Sequence, residues 1–458
     1  MSDSFARARA AALVACAGLL AACGAARVRS EAGPAAMLAR AQRDLADGRA
    51  RDSQRGFEEA LEQDPKLYPA IRGRIEAARA RSAAALQKVA DEALARTQAR
   101  GGDAEGLAWY ALGLCRFAAA DRAGALAALT RAAQLLPEEA DPQFRLGVAL
   151  FDGEQFAEAR GPLARAVELA PRTARYRVPY ATSLDRLGDR KGAVAVLREV
   201  PLLQPTREEA ELAVQASRAM TDPFRGVPPQ ARADLERALG YLLKDAPGMA
   251  ILPLEQLIAR LPGLSAAHAL LGLAAVRLDE PGRAASELLR AAELSPEAPQ
   301  PHIYLAELYA AKDRPEEAAG EYAAALERDP LDVVTLRKLG ELRLSRLARP
   351  REAIEPLSRA AALVPSGDGV QLLLAAAELA GGKAQEGRAR LQRLADERPE
   401  DTEVLLRLAL VLYDERAQAP PERRTELGDR VQTLVEKVLL LQPGNPAAGR
   451  LLSALREG

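Results

Sequence analysis

Ten prolines recur along the chain with a regularity that few folds produce. They are Pro65, Pro137, Pro171, Pro205, Pro262, Pro296, Pro330, Pro365, Pro399 and Pro443, with successive spacings of 72, 34, 34, 57, 34, 34, 35, 34 and 44 residues. Ahead of most of them runs the pattern Ala-x-x-x-(Leu or aromatic)-x-x-Ala, with the proline five residues on. A unit of this length holds two short helices and their turns. Proline at its end cannot continue a helix and restricts the residue before it, so it punctuates each unit. One helix pair cannot bury its own apolar stripe, and such units become stable by stacking on their neighbours.

Composition agrees with an all-helical chain. Of 458 residues 48% are hydrophobic but only 4% aromatic, and Ala and Leu alternate with Arg and Glu, the residues that form helices most readily. Lys and Arg number 63 against 64 Asp and Glu, a net charge of −1, so no long-range field draws the chain to nucleic acid. His268 and His302 are the two histidines. They stand 34 residues apart at equivalent places, a spacing that duplication explains as well as a shared site does, and no carboxylate or cysteine is placed to complete a metal site. No Gly-rich phosphate loop follows a strand, and no Ser-His-Asp set is available. The expectation is a protein without catalysis, metal or cofactor.

Within each period, small residues hold the eighth, twentieth and twenty-seventh places, and larger apolar residues fill the gaps between the two helices. Leu146-Gly147, Ala159, Leu163, Ala166 and Pro171 form one copy; Leu271-Gly272, Ala284, Leu288, Ala291 and Pro296 form another. Leu305-Ala306, Tyr309, Ala318, Tyr322, Ala325 and Pro330 form the fullest, and Trp109, Leu112-Gly113, Ala125, Ala132 and Pro137 add a tryptophan. This spacing resembles the tetratricopeptide repeat. The resemblance implies a superhelical solenoid of antiparallel helix pairs whose first helices line a concave, protein-binding face.

Irregular spacings divide the array. The 57-residue step leaves one helix, 206–218, without a partner, read as a cap on an N-terminal lobe of residues 36–219. A Pro-rich linker at 220–229 and a C-terminal lobe at 230–458 follow. Residues 66–102 form a degenerate helical segment. The 44-residue step places a polar loop at Gln418 to Arg424, and Pro446 to Leu455 forms a closing helix.

The first residues carry a different signal. Arg7 and Arg9 precede an apolar run from Ala10 to Leu20 that is too short to span a bilayer, and small residues end at Cys23. Leu20-Ala21-Ala22-Cys23 resembles the bacterial lipobox. That resemblance implies a signal peptide over 1–22, a lipidated Cys23, a flexible tether over 23–35 and a place on the outer membrane facing the periplasm; an ordinary secretory signal would leave the chain soluble in the periplasm. Cys115 is the one cysteine left to the folded part and sits on an apolar helix, where a cysteine acts as a small hydrophobe.

Partner-binding candidates come from the first helices. Tyr110 and Phe144 are 34 residues apart, as are Phe117 and Phe151, and Leu114 and Val148 lie between them. Seven-residue spacing puts each aromatic pair on one helix face, so the six side chains form either an apolar groove for a partner segment or packing between repeats. The Lys and Asn that grip chaperone tails in similar repeats are missing. Residues 66–100 carry eight basic side chains against three acidic, suited to anionic headgroups or glycan or to a solvated face. The expected function is a scaffold or assembly factor of the bacterial cell envelope, serving pilus, secretion, polysaccharide-export or outer-membrane machinery; the alternative is an accessory subunit of a cell-wall or glycan-processing enzyme complex.

Overall fold

The computed structural model describes residues 33–98, 102–364 and 369–457. Cys23, the whole leader and most of the expected tether lie outside the described residues. Within them the chain forms 24 α-helices and no strand, packed as two compact units that divide after Leu187.

The first unit contains α1 (Pro34–Ala46), α2 (Ala50–Gln63), α3 (Tyr68–Arg81), α4 (Ala83–Arg96), α5 (Asp103–Ala118), α6 (Arg122–Leu135), α7 (Ala140–Asp152), α8 (Phe156–Leu169) and α9 (Ala174–Arg186). The pairs α1/α2, α3/α4, α5/α6 and α7/α8 are antiparallel hairpins. First helices touch one another across hairpins, as α1 with α3 and α3 with α5, whereas second helices stand farther apart. Of the segment 66–102, expected to be degenerate, residues 68–96 form the hairpin α3/α4. Its tight point is Gly73, where a Cβ would lie 2.3 Å from the Phe57 ring.

The second unit begins with α10 (Arg190–Arg198), a 3-10 turn (Val200–Leu203) and α11 (Arg207–Met220). The hairpins α12 (Pro229–Leu243)/α13 (Pro247–Arg260), α14 (Ser265–Arg277)/α15 (Pro281–Leu294), α16 (Gln300–Ala311)/α17 (Pro315–Arg328) and α18 (Val333–Ser345)/α19 (Pro350–Leu363) follow. They lead to α20 (Val370–Ala380)/α21 (Ala384–Glu397), α22 (Thr402–Gln418)/α23 (Pro421–Leu441) and the closing α24 (Pro446–Glu457).

Three expectations change here. The helix read as a cap of the N-terminal lobe is α11. A Thr206/Glu209 capping box starts it, and it packs on α19 within the second unit. The stretch 220–229 is no free linker, because Phe224 is buried in the core of α12 to α14. The ten extra residues near 418–424 form no loop. They lengthen α22 and α23, with Pro421 at the first position of α23, where its missing N–H costs nothing.

Each described period proline lies outside the helices, in a connector that precedes a first helix, the unpaired α11 or the closing α24. Within hairpins, the glycines at the eighth place meet a leucine of the partner helix rather than a small residue. A Cβ on Gly147 would fall 2.5 Å from Leu163 Cγ, and one on Gly272 would fall 2.6 Å from Leu288 Cγ. The turn inside most hairpins uses a residue with positive φ, and these recur with the period: Gly48, Ala120 and Glu154 in the first unit, then Asp245, Asp279, Asp313, Ala348 and Gly382 in the second. Asp121 caps the following helix in the first unit, accepting from Gly124 N–H at 2.9 Å, whereas a proline opens the second helix at Pro247, Pro281, Pro315 and Pro350.

Candidate functional site

The six predicted partner-binding residues separate into two groups. Tyr110, Leu114 and Phe144 belong to the first unit's hydrophobic core, Tyr110 with no exposed surface at all. A partner cannot touch Tyr110, and its place in a binding ladder is corrected to core. Val148 and Phe151 are half-buried against that core, and Phe117 is 41% exposed. The edge of Phe151 packs on Phe156 with ring centroids 5.2 Å apart. What stays open along the first-helix layer is therefore the C-terminal half of the predicted ladder.

The reason Tyr110 is buried is a polar cluster that the sequence reading missed. Asp141, in the first turn of α7, is 3% exposed. It accepts hydrogen bonds from the Tyr110 hydroxyl, from the Tyr176 hydroxyl at 3.1 Å, from Arg72 at 2.7 Å and from Arg175, with Arg145 at 3.9 Å. These partners come from α3, α5, α7 and α9, so one carboxylate ties four first helices together. Phe144 stacks on Tyr176 at 4.5 Å, Tyr68 meets Tyr110 edge-on at 5.2 Å, and Arg145 and Arg175 lie over the Phe144 ring. Burial works to raise Asp141, but Arg72, the Tyr110 hydroxyl, Arg175 and Arg145 outweigh it and hold the carboxyl below its usual range. Burial ahead of the Asp141 charge drives the Tyr110 hydroxyl the other way, well above its usual value. With its oxygens occupied by donors, Asp141 is built to hold helices rather than to take a proton from a substrate.

No sequence signal announces this hub. An acidic residue in a first helical turn is ordinarily a response to the helix dipole. A tyrosine at the third position of a helix, as at Tyr176, carries no mark of its partner.

The remaining candidates resolve simply. Cys115 is buried, and burial pushes its thiol up to about 12, so it stays protonated and unreactive at neutral pH. His268 Nδ1 pairs with Glu287 at 2.7 Å, and His302 Nδ1 with Glu321 at 2.7 Å, each bridging the two helices of its own hairpin. The histidines therefore do not share a site. Among the described residues no group of three or more His, Cys, Asp or Glu is placed to hold a metal, and no helix is long and apolar enough to cross a membrane.

The hairpin geometry defines the class. The described residues are an all-α array of antiparallel helix pairs of the tetratricopeptide-repeat type. No protein-family model and no curated protein matches the chain. Among solved structures it is similar to YrrB, a TPR protein with an unusual peptide-binding site, at 16% identity and a TM-score of 0.38, covering 44% of this chain and 97% of that one. It is similar to Pseudomonas aeruginosa PilF at 21% identity and a TM-score of 0.37, covering 49% and 97% of the two chains. A third is the APC/C hetero-tetramer Cut9-Hcn1, at 13% identity and a TM-score of 0.34, covering 91% and 95%.

Proposed function

We infer that the protein is a non-catalytic scaffold or assembly factor of the bacterial cell envelope, held at the periplasmic face of the outer membrane through a lipidated Cys23. The observation that carries the binding role is the row of Phe117, Val148 and Phe151. These apolar side chains sit on successive first helices, Phe117 and Phe151 at the repeat interval; Phe117 stays 41% exposed, and Val148 and Phe151 are half-buried against the core. A preformed apolar row of this kind suits the side chains of an extended segment or an amphipathic helix, recognised without any bond made or broken. The lipobox-like Leu20-Ala21-Ala22-Cys23 supports the location.

Photocrosslinkers placed at Phe117 and Phe151 in cells test the surface. They are expected to capture a defined partner that a crosslinker at Leu289, on a second helix of the other unit, does not, and the Phe117→Ser/Phe151→Ser double variant is expected to lose that partner while staying helical. Equal capture from both positions removes the groove. Cys23→Ser is expected to move the protein into the soluble fraction of membranes washed at high salt, and retention under that wash removes the anchor.

A further inference from the structure

We propose that the groove between α2 and α4 is a docking surface for anionic phospholipid headgroups. Its walls are α2 and α4, its floor is α3, and it encloses about 620 Å³. Because α2 and α4 both run antiparallel to α3, their first turns meet the last turn of α3 at one end of the groove. The Arg81 guanidinium at the close of α3 donates to the Gln54 side chain on α2 and fixes that register.

Six cations, Arg51, Arg55, Arg74, Arg81, Lys88 and Arg96, line this groove against three carboxylates. Arg51 and Arg55 of α2, Arg81 of α3 and Lys88 of α4 line one end. The carboxylates that line it, Glu58, Glu62 and Glu92, all lie farther along, with Arg96 at that end and Arg74 bridging Glu58 at 2.9 Å and Glu92. Cations on helices ordinarily meet a carboxylate three or four residues away. Here the residue four beyond Arg51 is Arg55, the one four beyond Arg81 is Ala85, Glu92, four beyond Lys88, is already held by Arg74, and Asp91, three beyond Lys88, accepts from Gln87 at 2.9 Å. Arg55 pairs with Asp52 at 2.8 Å, but among the described residues no carboxylate pairs with Arg51, Arg81 or Lys88. Three uncompensated cations converge on one concavity.

Charge complementarity and reach select the occupant. This step rests on the anchor reading above. From Cys23 to Gly33 the chain has ten residues, a tether of at most about 35 Å when extended. Helix α1 carries the chain about 20 Å farther to the turn beside Arg51. A tether longer than that helix lets the cationic end fold back onto the leaflet holding the anchor. Each cation near an anionic surface then strengthens binding about fivefold.

Vesicle binding by the full chain with unmodified Cys23 tests the groove without the anchor. The intact chain is expected to bind vesicles of phosphatidylcholine containing phosphatidylglycerol, and the Arg51→Gln/Arg81→Gln/Lys88→Gln variant to bind them on the order of a hundredfold more weakly. Binding is expected to fall with salt, and Arg51→Lys/Arg81→Lys is expected to preserve it because charge alone is needed. Vesicles of phosphatidylcholine alone report any contribution of the apolar leader, which both chains share. Equal binding of intact chain and triple variant to anionic vesicles, with equal helical content, overturns the proposal, as does equal binding of the intact chain to both vesicle types. Displacement by inorganic phosphate at fixed ionic strength also overturns it, in favour of a small-anion pocket. Loss of vesicle binding beside intact Cys23-dependent retention in cells refutes the groove alone, and the reverse refutes the anchor alone.

Discussion

Each unit buries one aspartate almost completely, and the two are handled in opposite ways. Asp141 in the first unit is 3% exposed and surrounded by three guanidinium groups and two phenols; Asp329 in the second is 6% exposed and accepts from Ser217 Oγ at 2.6 Å, Thr221 Oγ1 at 3.1 Å and the Leu331 N–H at 3.2 Å. No cation pairs with Asp329 among the described residues, and burial, reinforced by Asp332, raises its carboxyl above the usual range despite the Ser217, Leu331 and Thr221 donors. Asp141 is held below that range. Equal burial therefore leads to opposite electrostatic outcomes, and the deciding factor is whether opposite charge accompanies the carboxylate inward. Asp141 cross-ties four helices. Asp329 seats the end of α11 on the turn between α17 and α18, where Gln300 also donates to the Thr221 carbonyl at 2.8 Å.

The largest test of this contrast is Asp141→Asn. It leaves three arginines facing a neutral amide and is expected to destabilise the first unit by roughly 3 to 5 kcal/mol, measured by denaturant unfolding followed through Trp109. A change under about 1 kcal/mol would break the comparison. Removing one spoke, as in Arg72→Met, is expected to cost less, on the order of 2 kcal/mol, because Arg175 and both phenols remain.

Dependence on pH sharpens it further. The folded chain holds the Asp329 proton more tightly than the unfolded chain, so its contribution is complete below the ordinary carboxylate value and is lost as pH rises through the raised folded one. For Asp141 the contribution is present above the ordinary value and lost as pH falls through the lowered one. Hydrogen exchange is therefore expected to show α11 better protected at about pH 4, near the ordinary aspartate value, than at about pH 7, with no such gain at α7. The smallest effect belongs to Asp329→Asn, expected to leave stability unchanged or raise it by up to about 1 kcal/mol at neutral pH, a gain that disappears in acid. A loss of several kcal/mol at neutral pH would show that the charge itself holds α11.

The parts of the fold that were legible are those written as periodicity. Proline positions marked the connectors, and Gly147 and Gly272 marked close helix contacts, because a missing Cβ and a missing N–H leave direct traces in sequence. Asp141 left none, since its partners lie 31 to 69 residues away on other helices. Spacing puts Tyr110 and Phe117 on one face but does not say which end of that face the Asp141 cluster seals. The same limit applies to α11, whose missing partner helix was visible and whose docking surface on α19 was not. At 418–424 two adjacent prolines suggested a loop, yet Pro421 at a helix start continues order rather than ending it.

The recurring left-handed turn residue has a consequence for the length of the protein. Asp245, Asp279 and Asp313 hold the same backbone conformation, with φ of 55°, 59° and 56°, each two residues before a proline that opens the next helix. A cut after one such residue and a join after the next would preserve the local geometry of the splice. Excising Ala246–Asp279 would bring Asp245 directly before Glu280 and Pro281, leaving a shorter protein with its turn chemistry intact. Hairpins in this stretch are thus exchangeable parts, and the array can gain or lose reach in whole steps without new joints.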